Sequence, residues 1–501
     1  MYLGIDCSTQ SMSGMLYNSK TGTIILDVSI EYKERFPQYN FSVNSKNNEC
    51  TVNPILWVLA LEELLNEFKH LGINLSEIKG ISGAAQQHAT VYLNSRFVDS
   101  WDWQDNLANT IRPMLAIERS PIWMDQSTSQ ECLEITNKLP NKNYALQNSG
   151  SVITRRFSGP QIARFAKLFP INYAQTSIVH LLSSFLTSIM IGQSSAIDIS
   201  DASGMNLLNL ENLNWDQNLV KATHNELHGK LPKLINANHI AGKIAPYFVE
   251  KYGFSPNTSI VYFTGDNISS SLGIGCNDSS IASLSLGTSD TMFIYNKTFS
   301  ITSESCNTFY HPNGGFISLV CFQNGAFSRD KIRNMAGYNW AEFDNSLSET
   351  KAGNNGILQL PFYTAEINPF LPQGSSISNR NRSLTPAESI RSVLESQAIN
   401  YKIQTDAFSH QLKKIIVTGG GSNCDGFCQI IADVFQCDVL RFNSANSVQL
   451  GGISRAMAVV ENKPIQVIDE IKTTTKPKSE TKNVYLELQK TMESMLKDIM
   501  R

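Results

Sequence analysis

Hydrophobic and polar positions alternate along the first thirty residues. YLGID at 2–6 predicts a strand, CSTQS a polar turn, and SGMLYNS and TIILDVSIEYK two further strands of a hairpin or meander. The period then changes. In PILWVLALEELLNEFKHL, 54–71, apolar residues recur at three and four, Asn53 is placed to cap and Pro54 suits the first turn, so this segment predicts a helix. IKGISGAAQQHATVYLN returns to strand, small-residue turn and strand. The opening order is three strands, a helix and a strand.

A less periodic region follows over 95–155. Segments 160–169 and 174–191 predict helices. IVHLLSSFLTSIMIG, 178–192, is too short and too polar to span a bilayer, which takes about 20 apolar residues, and predicts a buried or half-buried helix. The stretch 231–261 carries a helix or loop and ends in the strand SIVYFTG. The opening pattern then returns. ASLSLGTSDTMFIYN, 282–296, is strand, polar turn and strand. TPAESIRSVLESQAINYKIQTDAF is a helix with capping-box spacing, Thr385 to Glu388, and Pro386 in its first turn. KKIIVTGGGSNCDGFCQIIADVF is strand, glycine turn and helix. The shared vocabulary of the halves predicts an N-terminal domain over 1–250, a C-terminal domain over 251–465 and a tail over 466–501. QGSSISNRNRSL, 373–384, predicts a surface loop. The tail starts charged and disordered-looking. It ends in a helix whose Val484, Leu486, Leu488, Met492, Met495, Leu496 and Met500 predict a stripe packed on the body rather than on a membrane.

Composition narrows the class. A chain of 501 residues exceeds one ordinary core, which supports two domains. With 42% hydrophobic residues, 17% charged and a formal net charge of −3, it has the make-up of a folded soluble protein and no basic field to attract nucleic acid. The nine cysteines are odd in number and scattered, as reduced thiols of a cytoplasmic protein would be; Cys424 and Cys428 lack the second pair a zinc site needs. A strand beginning at Tyr2 leaves no room for a signal peptide before it.

Five short stretches carry candidate chemistry. MYLGIDCSTQS sets Asp6 at a strand end before a polar turn whose N–H groups can cradle phosphate, while the acid can hold a divalent cation, often through water; an Asx-turn without ligand has the same pattern. SLGTSDTMF repeats the arrangement with Gly287 and Thr288, although one such turn alone is ordinary hairpin chemistry. VTGGGSN, with Gly419, Gly420 and Asn423, can admit a nucleotide edge-on, or can simply join a strand to a helix. It is neither a Walker A loop nor GxGxxG. GAAQQHATVY offers Gln86, Gln87 and His88 as donors and acceptors for a sugar, against a structural histidine. YFTGDN puts Asp266 where a strand turns into a helix, as a helix cap or as an acid that meets a substrate.

The order DCSTQ, AAQQH, SPIWMD, RRFSGPQIAR, DASGMNLL, FTGDN, SLGTSD, CFQNGAFSR, TGGGSN resembles the FGGY carbohydrate kinases from residue 2 to about 460, most closely their eukaryotic-type xylulose kinase branch. The resemblance implies an α/β fold of two actin-like, ribonuclease-H-type domains, with ATP and sugar in an interdomain cleft. It implies Asp266 as catalytic base and His88, Arg156, Asp266 and Asn267 as sugar contacts, reaching in from both sides of a boundary near 245–258. On the nucleotide side it implies Asp6, Thr9, Gly287, Thr288, Trp340, Gly419, Gly420 and Asn423, with magnesium held by Asp6 through water. Trp123 and Asp125 of IWMD match a family string without assigned chemistry. The implied partner is D-xylulose or a similar small sugar, without nucleic acid or membrane, for a cytoplasmic monomer or homodimer. A ribulose or glycerol kinase and an actin-like ATP-binding scaffold are the alternatives. One departure stands out: Ser13 occupies a position commonly basic in relatives, so neutralisation of phosphate charge must come from magnesium, backbone N–H groups or another side chain.

Overall fold

Tyr2–Cys7 is central to the first sheet because both its faces are apolar or small; Tyr2, Leu3, Ile5 and Cys7 have no exposed surface. In the computed structural model, which describes residues 1–500 apart from 302, 410, 411 and 443–445, this strand pairs antiparallel with Ser11–Asn18, and that strand pairs antiparallel with Thr23–Glu31. On its other side it pairs parallel with Gly80–Ala85, and Ser259–Val261 extends the parallel part. Ile55–His70 covers one face with Trp57, Leu61, Leu64, Leu65 and Phe68, all buried; Pro54 rather than Asn53 is its N-cap, and the Asn53 side chain, one residue before, accepts the Ile55 N–H at 3.0 Å. Ser447–Glu461 lies on the other face.

That last helix changes the domain division. The chain forms two compact units: one of 1–275, 308–315 and 446–468, the other of 276–307, 316–445 and 469–501. The first unit therefore runs past residue 250 to Gly275 and takes back a helix from near the C-terminus. The reason is close packing of small residues. A methyl group on Gly451 would lie 1.9 Å from the Ser269 carbonyl oxygen, and one on Gly273 would lie 2.0 Å from that of Ser447. Asp266–Gly273 and Ser447–Glu461 thus touch backbone to backbone, which only glycine permits.

The second unit repeats the strand order. Ile281–Leu286 pairs antiparallel with Asp290–Asn296, which pairs antiparallel with Phe316–Phe322. Lys414–Thr418 and Asp438–Phe442 add the parallel part. In both units three antiparallel strands lead into parallel ones, so the duplication predicted from the sequence extends to topology. Thr385 caps Pro386–Ser409: its hydroxyl accepts the Glu388 N–H while Glu388 accepts the Thr385 N–H.

Two segments differ from expectation. Residues 174–191 are not one helix: Ile178–Leu181 is a strand paired antiparallel with Thr90–Leu93, and the buried helix starts at Leu182. The apolar run hides this switch, because a buried strand and a buried helix look alike without alternation. The start of the tail is ordered, with Ile471–Thr475 pairing antiparallel with Asp438–Phe442. In the terminal helix, Lys482–Ile499, the buried stripe is Tyr485, Leu488, Met492 and Leu496, whereas Val484, Leu486 and Met500 are exposed. Among the described residues no helix is long and apolar enough to cross a membrane.

Candidate functional site

The first unit gathers Asp6, Gln87, His88, Arg156, Asp201, Asp266 and Asn267 around the ends of its parallel strands. The short strand Thr264–Gly265 pairs parallel with Gly80–Ala85, opposite Ala84 and Ala85, so Asp266 and the QQH turn leave the sheet side by side. Gly265 is the helix N-cap, with φ −69° and ψ 150°, and no side chain caps the helix. Asp266 is therefore the first helical residue rather than the cap. Its Oδ1 accepts the Asn267 N–H at 2.7 Å. Burial pushes its carboxyl up to about 6, against the pull of the Asn267 and Gln87 backbone N–H groups. Asn267 Nδ2 donates to Gln87 Oε1 at 2.9 Å, which locks the two turns together.

His88 sits at φ +67°, a left-handed conformation uncommon for a residue with a side chain. Its ring stacks on Phe157, centroids 4.2 Å apart, and its Nδ1 meets the Gly204 carbonyl at 2.8 Å. A carbonyl only accepts, so Nδ1 carries the proton. Burial, assisted by the nearby Arg156 charge, pushes the imidazole down to about 3, which keeps it neutral and leaves Nε2 an acceptor. Arg156, the residue before Phe157, is half-buried. His88, Arg156, Asp266 and Asn267 all belong to the first unit rather than lying on both sides of a boundary near 245–258, because that unit runs to Gly275.

Asp6 ends the first strand. Burial, and then the Asp266 charge, push its carboxyl up to about 7, and its Oδ1 is buried without a hydrogen-bond partner. Ser13 lies directly opposite it in the strand pair and accepts a hydrogen bond from Gln449 Nε2 at 2.8 Å, so a neutral pair stands beside Asp6. Thr9 Oγ1 accepts from Trp123 Nε1 at 2.8 Å, which gives the IWMD string a place: it braces the first turn. Asp125 of that string is structural, accepting the Cys50 and Ser127 N–H groups.

Asp201, from DASGM, is a neighbour the motif reading did not single out. It is buried, Ser183 Oγ donates to its Oδ2, and burial with Asp198 and Asp266 close by pushes it up to about 8. A methyl group on Gly265 would lie 2.7 Å from its Oδ1. Nothing in the local sequence distinguishes this acid from a surface one; only tertiary packing does.

The second unit holds a cavity of about 790 Å³ lined by Gly287, Thr288, Trp340, Gly420 and Asn423, all expected at a nucleotide site, together with Arg329. Gly419 is not part of the lining. It makes the turn, at φ +80°, where an added methyl would lie 2.7 Å from the Leu286 carbonyl oxygen. Trp340 is half exposed, with the Arg333 guanidinium 4.8 Å over its ring centroid, and so offers a flat aromatic face. The glycine cradle and this face suit a nucleotide chemically, and in the first unit the orphaned Asp6 oxygen suits a hydrated cation.

The chain belongs to the FGGY family of carbohydrate kinases: residues 1–273 match its N-terminal domain and residues 282–459 its C-terminal domain. It is 32% identical to a xylulose kinase of Rattus norvegicus, over 91% of this chain and 87% of that one. It is 30% identical to xylulose kinase 2 of Arabidopsis thaliana, over 91% and 86%. The fold is similar to that of the xylulose kinase from Rhodospirillum rubrum, with a TM-score of 0.85 at 16% identity and coverage of 99% and 98%.

Proposed function

We propose that this carbohydrate kinase transfers the γ-phosphoryl group of ATP to the 5-hydroxyl of D-xylulose, with Asp266 as general base. The observation that carries this reading is Asp266 itself: a half-buried carboxylate at the first position of a helix, not used as its cap, within a cluster of sugar-compatible donors and acceptors. The xylulose kinases among its relatives support the choice of sugar.

In this reading His88 Nε2 accepts from one sugar hydroxyl, Arg156 and Asn267 donate to others, and Asp266 accepts the proton of the attacking hydroxyl. A bond forms between the sugar oxygen and the γ-phosphorus as the β,γ-bridging bond breaks, and ADP leaves with the bridging oxygen. A carboxyl raised to about 6 is still ionised at neutral pH and is a better proton acceptor than an ordinary aspartate. Asp6 would hold magnesium through water and Thr9 of the first turn would face the phosphates, while Gly287, Thr288, Trp340, Gly420 and Asn423 contact the nucleotide in a cavity whose turn Gly419 shapes. Magnesium, when bound, supplies charge neutralisation for the transferred group, which matters more here because Ser13 contributes none.

Asp266→Asn tests the assignment. Asparagine keeps the size and one acceptor but not the charge. Turnover should fall about 10²–10⁴-fold, the usual scale for a positioned base, with nucleotide and sugar binding nearly unchanged. Wild-type turnover in a folded Asp266→Asn protein rejects the base.

A further inference from the structure

We propose that Arg329, from the CFQNGAFSR string, is a positioning residue that fixes the orientation of the Thr288 amide in the GTSD turn. The proposal rests on the nucleotide reading above. Arg329 lines the 790 Å³ cavity, yet its side chain is only 3% exposed. Its guanidinium grips Asp290 with two hydrogen bonds, Nη1 to Oδ2 at 2.8 Å and Nη2 to Oδ1 at 2.9 Å. Nη1 also donates to Gln397 Oε1 at 3.2 Å, and Nη2 to the Gly287 carbonyl at 3.3 Å. Those four bonds engage all four Nη hydrogens and tie the guanidinium to the ends of the turn, leaving only the Nε–H outside this set. Tyr401 adds a hydroxyl donor to Asp290.

The consequence lies one atom further along the chain. The Gly287 carbonyl is held by the Ala326 N–H at 2.9 Å as well as by Arg329. In a trans peptide the carbonyl and the following N–H point opposite ways. Pinning the Gly287 oxygen toward Ala326 and Arg329 therefore turns the Thr288 N–H away from them. Thr288 and Ser289 are exposed, while Leu286 and Asp290 on either side are buried, so the hub anchors the ends of the turn and leaves its crest open. A turn with amides presented this way receives phosphate oxygens. Arg329 thus acts on the nucleotide's phosphates through the backbone of the turn.

The test separates phosphate from nucleoside. Lysine at 329 keeps a charge for Asp290 but lacks the fork that reaches Asp290 and Gly287 together. Arg329→Lys should weaken binding of a non-hydrolysable ATP analogue by about tenfold and leave adenosine binding within about twofold, as loss of one charge-assisted hydrogen bond implies. Tyr401→Phe, which removes one donor from Asp290 and keeps the ion pair, should shift the same ratio in the same direction by a smaller factor; it decides the matter if Arg329→Lys does not fold. Equal weakening for both ligands, or unchanged binding of the analogue in the folded variants, overturns the proposal. Wild-type protein that binds neither ligand overturns the nucleotide reading, and the proposal with it.

Discussion

Asp266 and Asp6 are two carboxylates held well above their usual range, the first mainly by burial and the second by burial and by the first. This has consequences for both activity and stability. The proposed reaction needs Asp266 ionised, so on that proposal kcat/KM for the sugar should fall as pH drops through about 6. Stability moves the other way. Both groups bind protons more tightly folded than unfolded, so their protonation favours the native state below the ordinary carboxylate range, and that advantage is lost as pH rises through about 6 and 7. Asp266→Asn removes the first of these penalties. Its Tm should exceed that of wild type at pH 8 and converge with it at pH 4 in thermal unfolding scans; a lower Tm at pH 8 would show that the carboxylate stabilises the site it serves. At this scale the sequence was informative where a motif carried the residue. TGDN, QQH and RRFSG pointed to Asp266, His88 and Arg156, which the structure brings into one unit. Asp201 and Arg329 were illegible as individuals, because what distinguishes them is burial and long-range partners: Ser183 for one, Asp290 and Gly287 for the other.

At the scale of elements, the helix that begins with Asp266 is held by a second helix almost two hundred residues later in the chain. Gly273 and Gly451 let the two backbones meet. Gly451→Val cannot be accommodated without moving one of them, since the added carbon would fall 1.9 Å from the Ser269 carbonyl oxygen. Overpacking of this kind costs about 1–3 kcal/mol, so the Tm should drop by several degrees. Sugar KM and kcat should both worsen, because Asp266 and Asn267 ride on the displaced helix. An unchanged Tm and turnover would mean that the contact is loose. Local pattern found most elements, including the hairpins, the helix after Asn53 and the capped helix after Thr385. It missed the strand Ile178–Leu181 because both sides of that strand are buried and its apolar run does not alternate. It also missed the strand Ile471–Thr475, whose charged and hydroxyl side chains suit a sheet edge as well as a loop.

The whole molecule is a duplication: two sheets with the same strand order, each carrying a polar turn after its first strand. That repetition was visible as two matching strand–turn–strand segments, whereas the return of Ser447–Glu461 to the first unit was not, since it depends on close packing across a long sequence separation. The division of residues gives each unit one task in the proposed reaction: sugar and base with the first, the larger part of the nucleotide site with the second. Specificity then follows from hydrogen bonding. A neutral His88 whose free Nε2 accepts, beside donors from Arg156 and Asn267, demands a matching set of hydroxyls in the proposed reaction, and a site built to bond a hydroxyl strongly rejects analogues that lack it. The most direct measurement is ADP release with ATP and magnesium across a panel of D-xylulose, its deoxy analogues, D-ribulose and glycerol. We expect sugar-dependent release with the highest kcat/KM for D-xylulose and sharp losses for the deoxy analogues. A higher kcat/KM for D-ribulose or glycerol, or a folded protein that releases no ADP with any of them, would contradict the proposed reaction.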